Sequence, residues 1–331
     1  MLRIGNITLP IPCMLAPMAG VSDLPFRLIT RAFGAPLAFT EMIDVSGLCH
    51  MDKRTRHMLS STPDDRPLGI QLLANDAELT ERALDSLEKG TFDLLDLNAA
   101  CPTPKITRKG KGAALLRESR KLRELLKVLV DRSTVPVTVK IRTGWDQDSI
   151  NAPEVARYAE DAGISALFIH GRTKAQGYSG TVDYRVIREV KEAVKMPVIA
   201  SGDNITAPLI KKMFDETGCD GVAIARGSLG NPWIFREAIQ FLQGGGQCER
   251  PGIDERITVM KDHLDLLFLH YGEKRGVGIF HKFFIWYTRG IPGMKPLRDR
   301  TFRTATKDGL LNAIDELYAL GIQHSAISSR Q

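Results

Sequence analysis

The sequence predicts an α/β fold, a (β/α)₈ barrel, and two observations carry this prediction. Eight short apolar, β-branched runs recur along the chain, and segments of helical periodicity follow most of them at a spacing of roughly 30 residues. The clearest runs are nearly continuous in hydrophobicity, which is typical of parallel strands buried on both faces. A doubly wound open sheet of eight strands is the alternative. The runs end at Ala16, near Phe39, and at Leu72, Leu97, Lys140, His170, Ala200 and Ile224.

The two ends of the chain depart from this rhythm. Residues 2–12 carry Gly5-Asn6 between alternating apolar residues, and we expect a hairpin that plugs the barrel floor. After Phe235 no convincing strand follows, and apolar residues recur at helical spacing. We therefore predict a catalytic barrel over residues 1–240 and a small all-helical domain over residues 245–331, with its helices at 257–271, 277–287 and 308–320.

Composition limits the function classes. The 331 residues include 45 Lys and Arg against 39 Asp and Glu, a net charge of +6 that suits a polyanionic partner but also occurs in ordinary enzymes. The five cysteines follow neither a disulfide framework nor zinc-site spacing, so we expect no metal and a reducing, cytoplasmic location. No leader pattern and no apolar run of about 20 residues is present, which argues against membrane insertion.

Polar residues fall at nearly every predicted strand end, where barrel enzymes gather their catalytic groups. Lys140 closes an apolar run, so its ammonium is expected at the barrel mouth, where a bound anion or a carboxylate such as Asp96 would be its partner. His170 and Arg172 follow the next run. A histidine in this place is as often a hydrogen-bonded structural residue as a ligand.

Two turns of small residues suggest a phosphate site. Ser201-Gly202-Asp203 and Ala225-Arg226-Gly227 follow the predicted seventh and eighth strands. Backbone N–H groups at these two strands commonly bind a phosphate in barrels, although glycines in such turns often serve turn geometry alone. Their shared placement favours a phosphorylated cofactor.

Cys101 lies in a loop that prolines keep extended, just beyond a predicted buried strand. A thiol of ordinary acidity is mostly protonated at neutral pH, so Cys101 is a candidate general acid, and the other four cysteines are interpreted as structural. The basic residues that follow it are Lys105, Arg108, Lys109 and Lys111. Such a run is usually a solvated face, but beside this loop it could position a nucleic-acid strand through its phosphates.

Several ordered strings stand at the predicted strand ends, and they are APMAGVSD from Ala16, DLNAACP from Asp96, KIRTG from Lys140, IHGRT from Ile169, SGD from Ser201 and RGSLGNPW from Arg226. Together they resemble the tRNA-dihydrouridine synthases, in particular the bacterial B-type members. The resemblance is strong over about residues 1–240 and looser in the tail. It departs from the family pattern at Ala100 and Ala225, where relatives often have glycine.

The resemblance implies an FMN-dependent barrel in which NADPH, with NADH as the alternative, reduces the flavin. The reduced flavin then delivers hydride to C6 of a uracil in tRNA while Cys101 protonates C5. It also implies a basic helical domain that binds tRNA, and we expect a monomer. The implied cofactor-binding residues are Pro17, Met18, Ala19, Gln71, Lys140, His170, Ser201, Gly202, Asp203, Ala225 and Arg226. The substrate-binding residues are taken as Asn98, Arg142, Arg172, Lys105, Arg108 and Lys109.

Two other functions compete. Another FMN barrel that acts on a small molecule, such as a dihydroorotate-dehydrogenase-like or old-yellow-type enzyme, explains Lys140 and the phosphate turns equally well but leaves the basic run after Cys101 without a role. A tRNA-binding folding aid with dispensable redox activity is the second alternative.

Overall fold

The computed structural model describes residues 1–244 and 250–328, with side chains up to residue 318. A sheet of eight parallel strands forms the centre, and consecutive strands lie side by side around it. The first and last strands of this order meet where the Leu15 N–H donates to the Leu37 carbonyl at 3.0 Å. The sheet is thus a nearly closed barrel, as predicted, and not a doubly wound open sheet. The barrel strands are β3 (Cys13–Leu15), β4 (Ala38–Asp44), β5 (Leu68–Leu73), β6 (Leu94–Ala99), β7 (Val137–Arg142), β8 (Ala166–His170), β9 (Val198–Ser201) and β10 (Gly221–Ile224).

The predicted hairpin is present and closes one end of the barrel. Strands β1 (Leu2–Ile4) and β2 (Ile7–Leu9) pair antiparallel, with Gly5 in the left-handed region at the turn. Their buried leucine and isoleucine side chains join an interior cluster with Phe39 and Phe168, whose rings meet edge to face at 5.4 Å. This apolar plug leaves the opposite end of the barrel for polar chemistry.

Some predicted strand ends are wrong by several residues. The strand expected to end near Phe39 continues to Asp44, with an irregular register between Phe39 and Met42. Lys140 does not close its strand, because β7 runs on to Arg142. Successive side chains of a strand point to opposite faces. A strand can therefore continue past its last apolar residue, with polar side chains pointing into the barrel at every second position.

Helices surround the barrel on its outside. Their apolar faces pack on the strands, and all but the shortest are amphipathic. They are α1 (Leu24–Ala32), α2 (Val45–His50), α3 (Lys53–Met58), α4 (Ala77–Leu84), α5 (Pro104–Thr107), α6 (Ser119–Arg132), α7 (Ala152–Asp161), α8 (Tyr184–Ala193), α9 (Ala207–Thr217) and α10 (Ile234–Leu242), with short 3₁₀ turns at Pro63–Asp65, Gly112–Arg117, Gln147–Ser149 and Arg226–Ser228.

Residues 250–328 contain helices and no strand, in agreement with the predicted all-helical tail. Three of the four helices were expected, and α13 was not. The predicted boundary at residue 245 falls in 245–249, outside the described residues, so the two-domain division remains a prediction. The four helices are α11 (Ile253–Tyr271), α12 (Glu273–Tyr287), α13 (Lys295–Thr301) and α14 (Lys307–Ser328).

The helical tail and the barrel share one apolar core. Tyr287 is fully buried, and its ring lies 6.3 Å from that of Trp233. Gly230, with φ of +65°, lies so close to α12 that a Cβ would come within 2.2 Å of the Trp286 carbonyl carbon. Because of this close approach, a larger residue at position 230 would force the tail away from the barrel.

A buried ionic cluster joins α1 to the 3₁₀ turn at Pro63–Asp65. Asp65 is fully buried and accepts from Arg27 Nη2 at 2.7 Å and from Arg31 Nε at 2.9 Å. Removing one partner of a buried pair leaves an uncompensated charge and typically costs about 3–5 kcal/mol.

We therefore expect Asp65→Ala to lower the free energy of unfolding by about 3–5 kcal/mol, because Arg27 would remain buried without its carboxylate. Urea unfolding followed by circular dichroism measures this change. Asp299→Ala is the control, since Asp299 pairs with Lys295 on the exposed face of α13 and its loss should change stability little. Equal losses in the two variants would contradict the assignment.

Candidate active site

A cavity of about 380 Å³ opens at the carboxyl ends of the barrel strands. Loops after β3, β6, β8, β9 and β10 line it together with the ends of β4, β5 and β7. The structure brings together at this wall Cys101, Asn98 and Arg142 and all the residues predicted to bind the cofactor, namely Pro17, Met18, Ala19, Gln71, Lys140, His170, Ser201, Gly202, Asp203, Ala225 and Arg226.

A chain of buried hydrogen bonds crosses three neighbouring strands beneath the cavity. Thr138 Oγ1 donates to Asp96 Oδ1 at 2.7 Å, and Gln71 Nε2 donates to Asp96 Oδ2 at the same distance. Asn98 Nδ2 donates to Gln71 Oε1 at 2.8 Å. These contacts fix the amide orientation of both Gln71 and Asn98.

Asn98 in turn holds the loop that carries Cys101. Its Oδ1 accepts from the backbone N–H groups of Ala100 at 3.0 Å and Cys101 at 2.8 Å. Gly112, with φ of +61°, approaches the Cys101 carbonyl so closely that a Cβ would lie 2.8 Å from it. The loop is thus held from both sides, and the Cys101 thiol faces Thr103 Oγ1 at 3.4 Å.

Lys140 has a hydroxyl partner, and no carboxylate of the described residues lies within ion-pair distance of it. Its Nζ donates to Ser201 Oγ at 3.0 Å, and Ser201 in turn donates to the Ile169 carbonyl. The Asp96 carboxylate, the alternative partner, instead accepts from Gln71 and Thr138. Burial lowers the pKa of Lys140 to about 8, against an opposing effect of Asp96. Lys140 is therefore a half-buried cation at the cavity wall, and its hydrogen-bond partner there is a hydroxyl.

His170 also faces the cavity. Its Nε2 is buried and makes no hydrogen bond to the described part of the chain. Burial, followed by the positive charges of Arg142 and Lys140, lowers its pKa to about 2, so the imidazole is neutral. A neutral imidazole with one free nitrogen fits a ligand that carries a hydrogen-bonding group.

The two turns predicted to hold a phosphate lie side by side. Gly202 and Asp203 adopt positive φ values of 121° and 53°, and Arg226 begins a 3₁₀ turn. A Cβ at Gly202 would come within 3.0 Å of the His170 ring, so the glycine allows the turn to pass over the imidazole. Asp203 pairs with Arg172 at 2.6 Å and with Arg226 at 3.4 Å.

The two arginines predicted to bind substrate are largely engaged with protein groups. Arg142 is buried, lines the cavity and donates to the carbonyls of Ala100, Thr173 and Gly177. Burial lowers its pKa to about 10. Arg172 lies behind the wall, where it donates to Asp203 and to two loop carbonyls. Both therefore order loops at the mouth, whatever else they bind.

The basic run after Cys101 does not enter the cavity. Lys105, Arg108 and Lys109 are exposed on and after α5, beside the loop that carries the thiol. Lys111 does not belong to a solvated basic face, because it is 7% exposed and pairs with Asp44 of β4 at 2.7 Å. Its interpretation as a phosphate contact is wrong for this reason.

Sequence reasoning missed three side chains at the cavity. Met42 lies in β4 beyond the expected strand end, and Ile205 follows the phosphate turns. Tyr178 stands at the rim with 59% exposure, its ring 5.0 Å from the Arg226 guanidinium and 5.5 Å from that of Arg142. A signal for Tyr178 was available, since it is an aromatic residue between glycines in the loop after His170.

Three other cysteines lie away from the cavity. Cys13 and Cys219 are buried, and burial raises the pKa of their thiols to about 12 and about 11. Cys49 is half-buried and donates to the Leu79 carbonyl. These positions agree with structural roles, whereas Cys248 lies outside the described residues.

The chain matches a known protein family. Residues 14–321 match the family model described as Dihydrouridine synthase (Dus). The chain is 38% identical over 318 residues to tRNA-dihydrouridine synthase B of Pseudomonas aeruginosa, covering 96% of each chain. It is 38% identical over 291 residues to the protein of that name from Pasteurella multocida, covering 88% of this chain and 87% of the relative.

The chain belongs to the dihydrouridine synthase family.

Membership makes it an oxidoreductase with a flavin cofactor. Solved structures support the barrel at the level of fold. Morphinone reductase superposes with a TM-score of 0.53 at 14% identity, covering 76% of this chain and 90% of its own. An old yellow enzyme homologue from Zymomonas mobilis superposes with the same TM-score, covering 75% and 93%.

Helices of the length and apolarity needed to cross a bilayer do not occur in residues 1–244 and 250–328. The same ranges contain no group of three or more His, Cys, Asp or Glu side chains arranged to hold a metal ion.

The buried carboxyl of Asp96 predicts a pH dependence of stability. Burial raises its pKa from 3.8 to about 6, so between these values the native chain holds a proton that the unfolded chain has released. The contribution of Asp96 to the free energy of unfolding therefore falls as the pH rises from about 4 to about 6.

We expect Asp96→Asn to remove this contribution. The stability difference between the variant and the wild type, measured by urea unfolding across pH 4 to 7, should shift in favour of the variant as the pH rises. Other groups, such as Asp23, titrate in both proteins and cancel in the difference. A difference that stays constant with pH would rule out the raised pKa.

Proposed function

We propose that this chain is a tRNA-dihydrouridine synthase that reduces the C5=C6 bond of uridines in tRNA with FMN, NADPH as reductant and Cys101 as proton donor. One observation carries the proposal: the Cys101 thiol lines the same cavity as Lys140, His170 and the two phosphate turns. A proton donor and the groups suited to an anionic cofactor thus share one chamber.

The cavity wall fits FMN on its own chemistry. Lys140 is a half-buried cation, His170 Nε2 is buried without a hydrogen-bond partner among the described residues, and Arg226 stands beside the turn at Gly202. The turn at 201–203 and residues 225–226 would hold the ribityl phosphate, while Pro17, Met18, Ala19 and Gln71 would contact the ring system. When bound, FMN supplies the hydride that adds to C6 of the uracil.

Lys140 would stabilise negative charge on the pyrimidine side of the flavin ring. Its ammonium already lies in a site of low polarity, where a charge interaction is stronger than in water. Ser201 holds Nζ at 3.0 Å and so limits its motion. Little reorganisation is then needed when the cofactor binds.

Cys101 would give its proton to C5 of the uracil. Asn98 places the loop through two backbone hydrogen bonds, and the thiol is partly screened from water at 8% exposure. Asn98 and Arg142 would face the uracil, and Tyr178 stands at the entrance. The proton and the hydride would thus reach the two carbons of one double bond.

A uridine within folded tRNA must leave its stack to enter a cavity of this depth, and that step requires binding energy from outside the cavity. The exposed residues Lys105, Arg108 and Lys109 are suited to bind phosphates beside the mouth. Arg172 would act indirectly, through the loops it orders. The helical domain assigned to residues 245–331 would supply further basic contacts.

The remaining parts of the proposal rest on the resemblance to the family. They are a monomeric state, a cytoplasmic location, the use of NADPH in preference to NADH and the choice of FMN among flavins. A small-molecule substrate is the alternative, and no contact in the cavity favours it.

An absorption spectrum of the purified protein tests the proposal directly. We expect flavin bands that bleach on addition of NADPH and return, without oxygen, only when unmodified tRNA is added. NADH in place of NADPH gives the reductant preference. A protein that takes up no FMN, or one whose bands return with a small enone but not with tRNA, would overturn the proposed function.

Cys101→Ala should slow dihydrouridine formation by a factor of about 10²–10⁴, because only the proton donor is lost. FMN binding and its reduction by NADPH should stay unchanged, which stopped-flow absorbance measures separately from the product. Cys49→Ala is the matched control, since Cys49 is half-buried and distant from the cavity. Product formation at the wild-type rate in Cys101→Ala would refute the role.

A further inference from the structure

The segment from Ala16 to Gly20 forms one wall of the cavity, and its last residue faces away from it. Pro17, Met18 and Ala19 line the chamber, whereas Gly20 lines a separate polar pocket of about 210 Å³ beneath the helical tail. Gly20 has φ of +71°, a left-handed conformation that glycine adopts without strain. The wall and this second pocket are thus two sides of the same short segment.

The peptide groups of Gly20 are held from opposite directions. Its N–H donates to Glu41 Oε2 of β4, and its carbonyl accepts from Lys282 Nζ of α12. The lysine stands 262 positions away in the sequence. The segment is therefore clamped between a barrel strand and the helical tail.

Lys282 shares its pocket with two acidic groups and with the basic side chains of Arg54 and Arg275. Asp23 and Glu41 both line the pocket, and they oppose the effect of burial, which lowers the pKa of Lys282. Tyr271 of α11 donates to Asp23 Oδ2 at 3.0 Å, so a second helix of the tail also reaches this site. Hydrogen bonds with an ionised donor or acceptor are stronger than neutral ones.

We propose that Lys282 is a positioning residue that acts through Gly20 and holds the Pro17–Ala19 wall in place for the flavin. Its role toward the flavin rests on the proposed function, whereas its hold on the segment does not. Glu41 alone fixes only one side of Gly20. Without the lysine, the wall gains freedom that cofactor binding must then remove.

The first test measures the segment without any cofactor. Lys282→Met should raise the hydrogen-exchange rate of the peptide spanning residues 16–24 by about fivefold or more, since the clamp is broken on one side. Lys274→Met is the matched control, the same substitution at an exposed position of α12. Lys282→Arg keeps the cation and its donors and should stay closer to the wild type. Wild-type exchange in Lys282→Met would overturn the proposal.

The second test titrates apo-protein with FMN and follows the flavin spectrum. We expect the dissociation constant to rise by about fivefold in Lys282→Met and to stay unchanged in Lys274→Met. If Lys282→Met does not fold, Lys282→Gln, which is too short to keep the contact, takes its place in both tests.

The outcomes separate the two proposals. If the wild-type protein binds no FMN, both the proposed function and the flavin role of Lys282 are wrong. The hydrogen-exchange measurement then still decides whether Lys282 holds the segment. A wild-type protein that binds FMN, with a variant whose segment is loosened but whose dissociation constant is unchanged, overturns the positioning role alone.

Discussion

The buried hydrogen-bond chain from Thr138 through Asp96 and Gln71 to Asn98 is the interaction on which the site depends. Each polar group in it would be costly to bury alone, and each finds a partner on a neighbouring strand. The chain also turns the Asn98 oxygen toward the loop of Cys101. The position of the thiol is therefore decided inside the barrel, below the cavity, and not by the loop alone.

The charge of the cavity wall depends on which of its ionisable groups are paired. Arg142 is a buried cation and Lys140 a half-buried one, and the acidic groups near them accept hydrogen bonds from other residues or, as Asp203, pair with Arg172. Burial and, after it, this excess of positive charge lower the pKa of His170 and keep its imidazole neutral, and the charge also favours an anionic ligand. A flavin phosphate and a polyanionic substrate both satisfy it, which is why the barrel chemistry and the proposed tRNA substrate are compatible.

The helical tail contributes to the site as well as to the fold. Its core is continuous with the outer core of the barrel, and Gly230 lets α12 pack against the barrel without a gap. The same helix carries Lys282, which reaches the back of the cavity wall at Gly20. A macromolecule that docks on the tail would therefore contact a helix that also holds the segment of the Pro17–Ala19 wall.

The sequence by itself determined the barrel, the floor hairpin and the helical tail, because buried strands and amphipathic helices leave periodic apolar patterns in the chain. It also pointed to Cys101, Lys140 and His170, since strand ends gather at one face of a barrel. Only the tertiary structure decided which atoms meet. Lys111 pairs with Asp44, Arg172 turns to Asp203, and Lys282 reaches Gly20. A local pattern carries no record of a partner tens or hundreds of residues away, so these contacts follow from the fold and not from the spacing of residues.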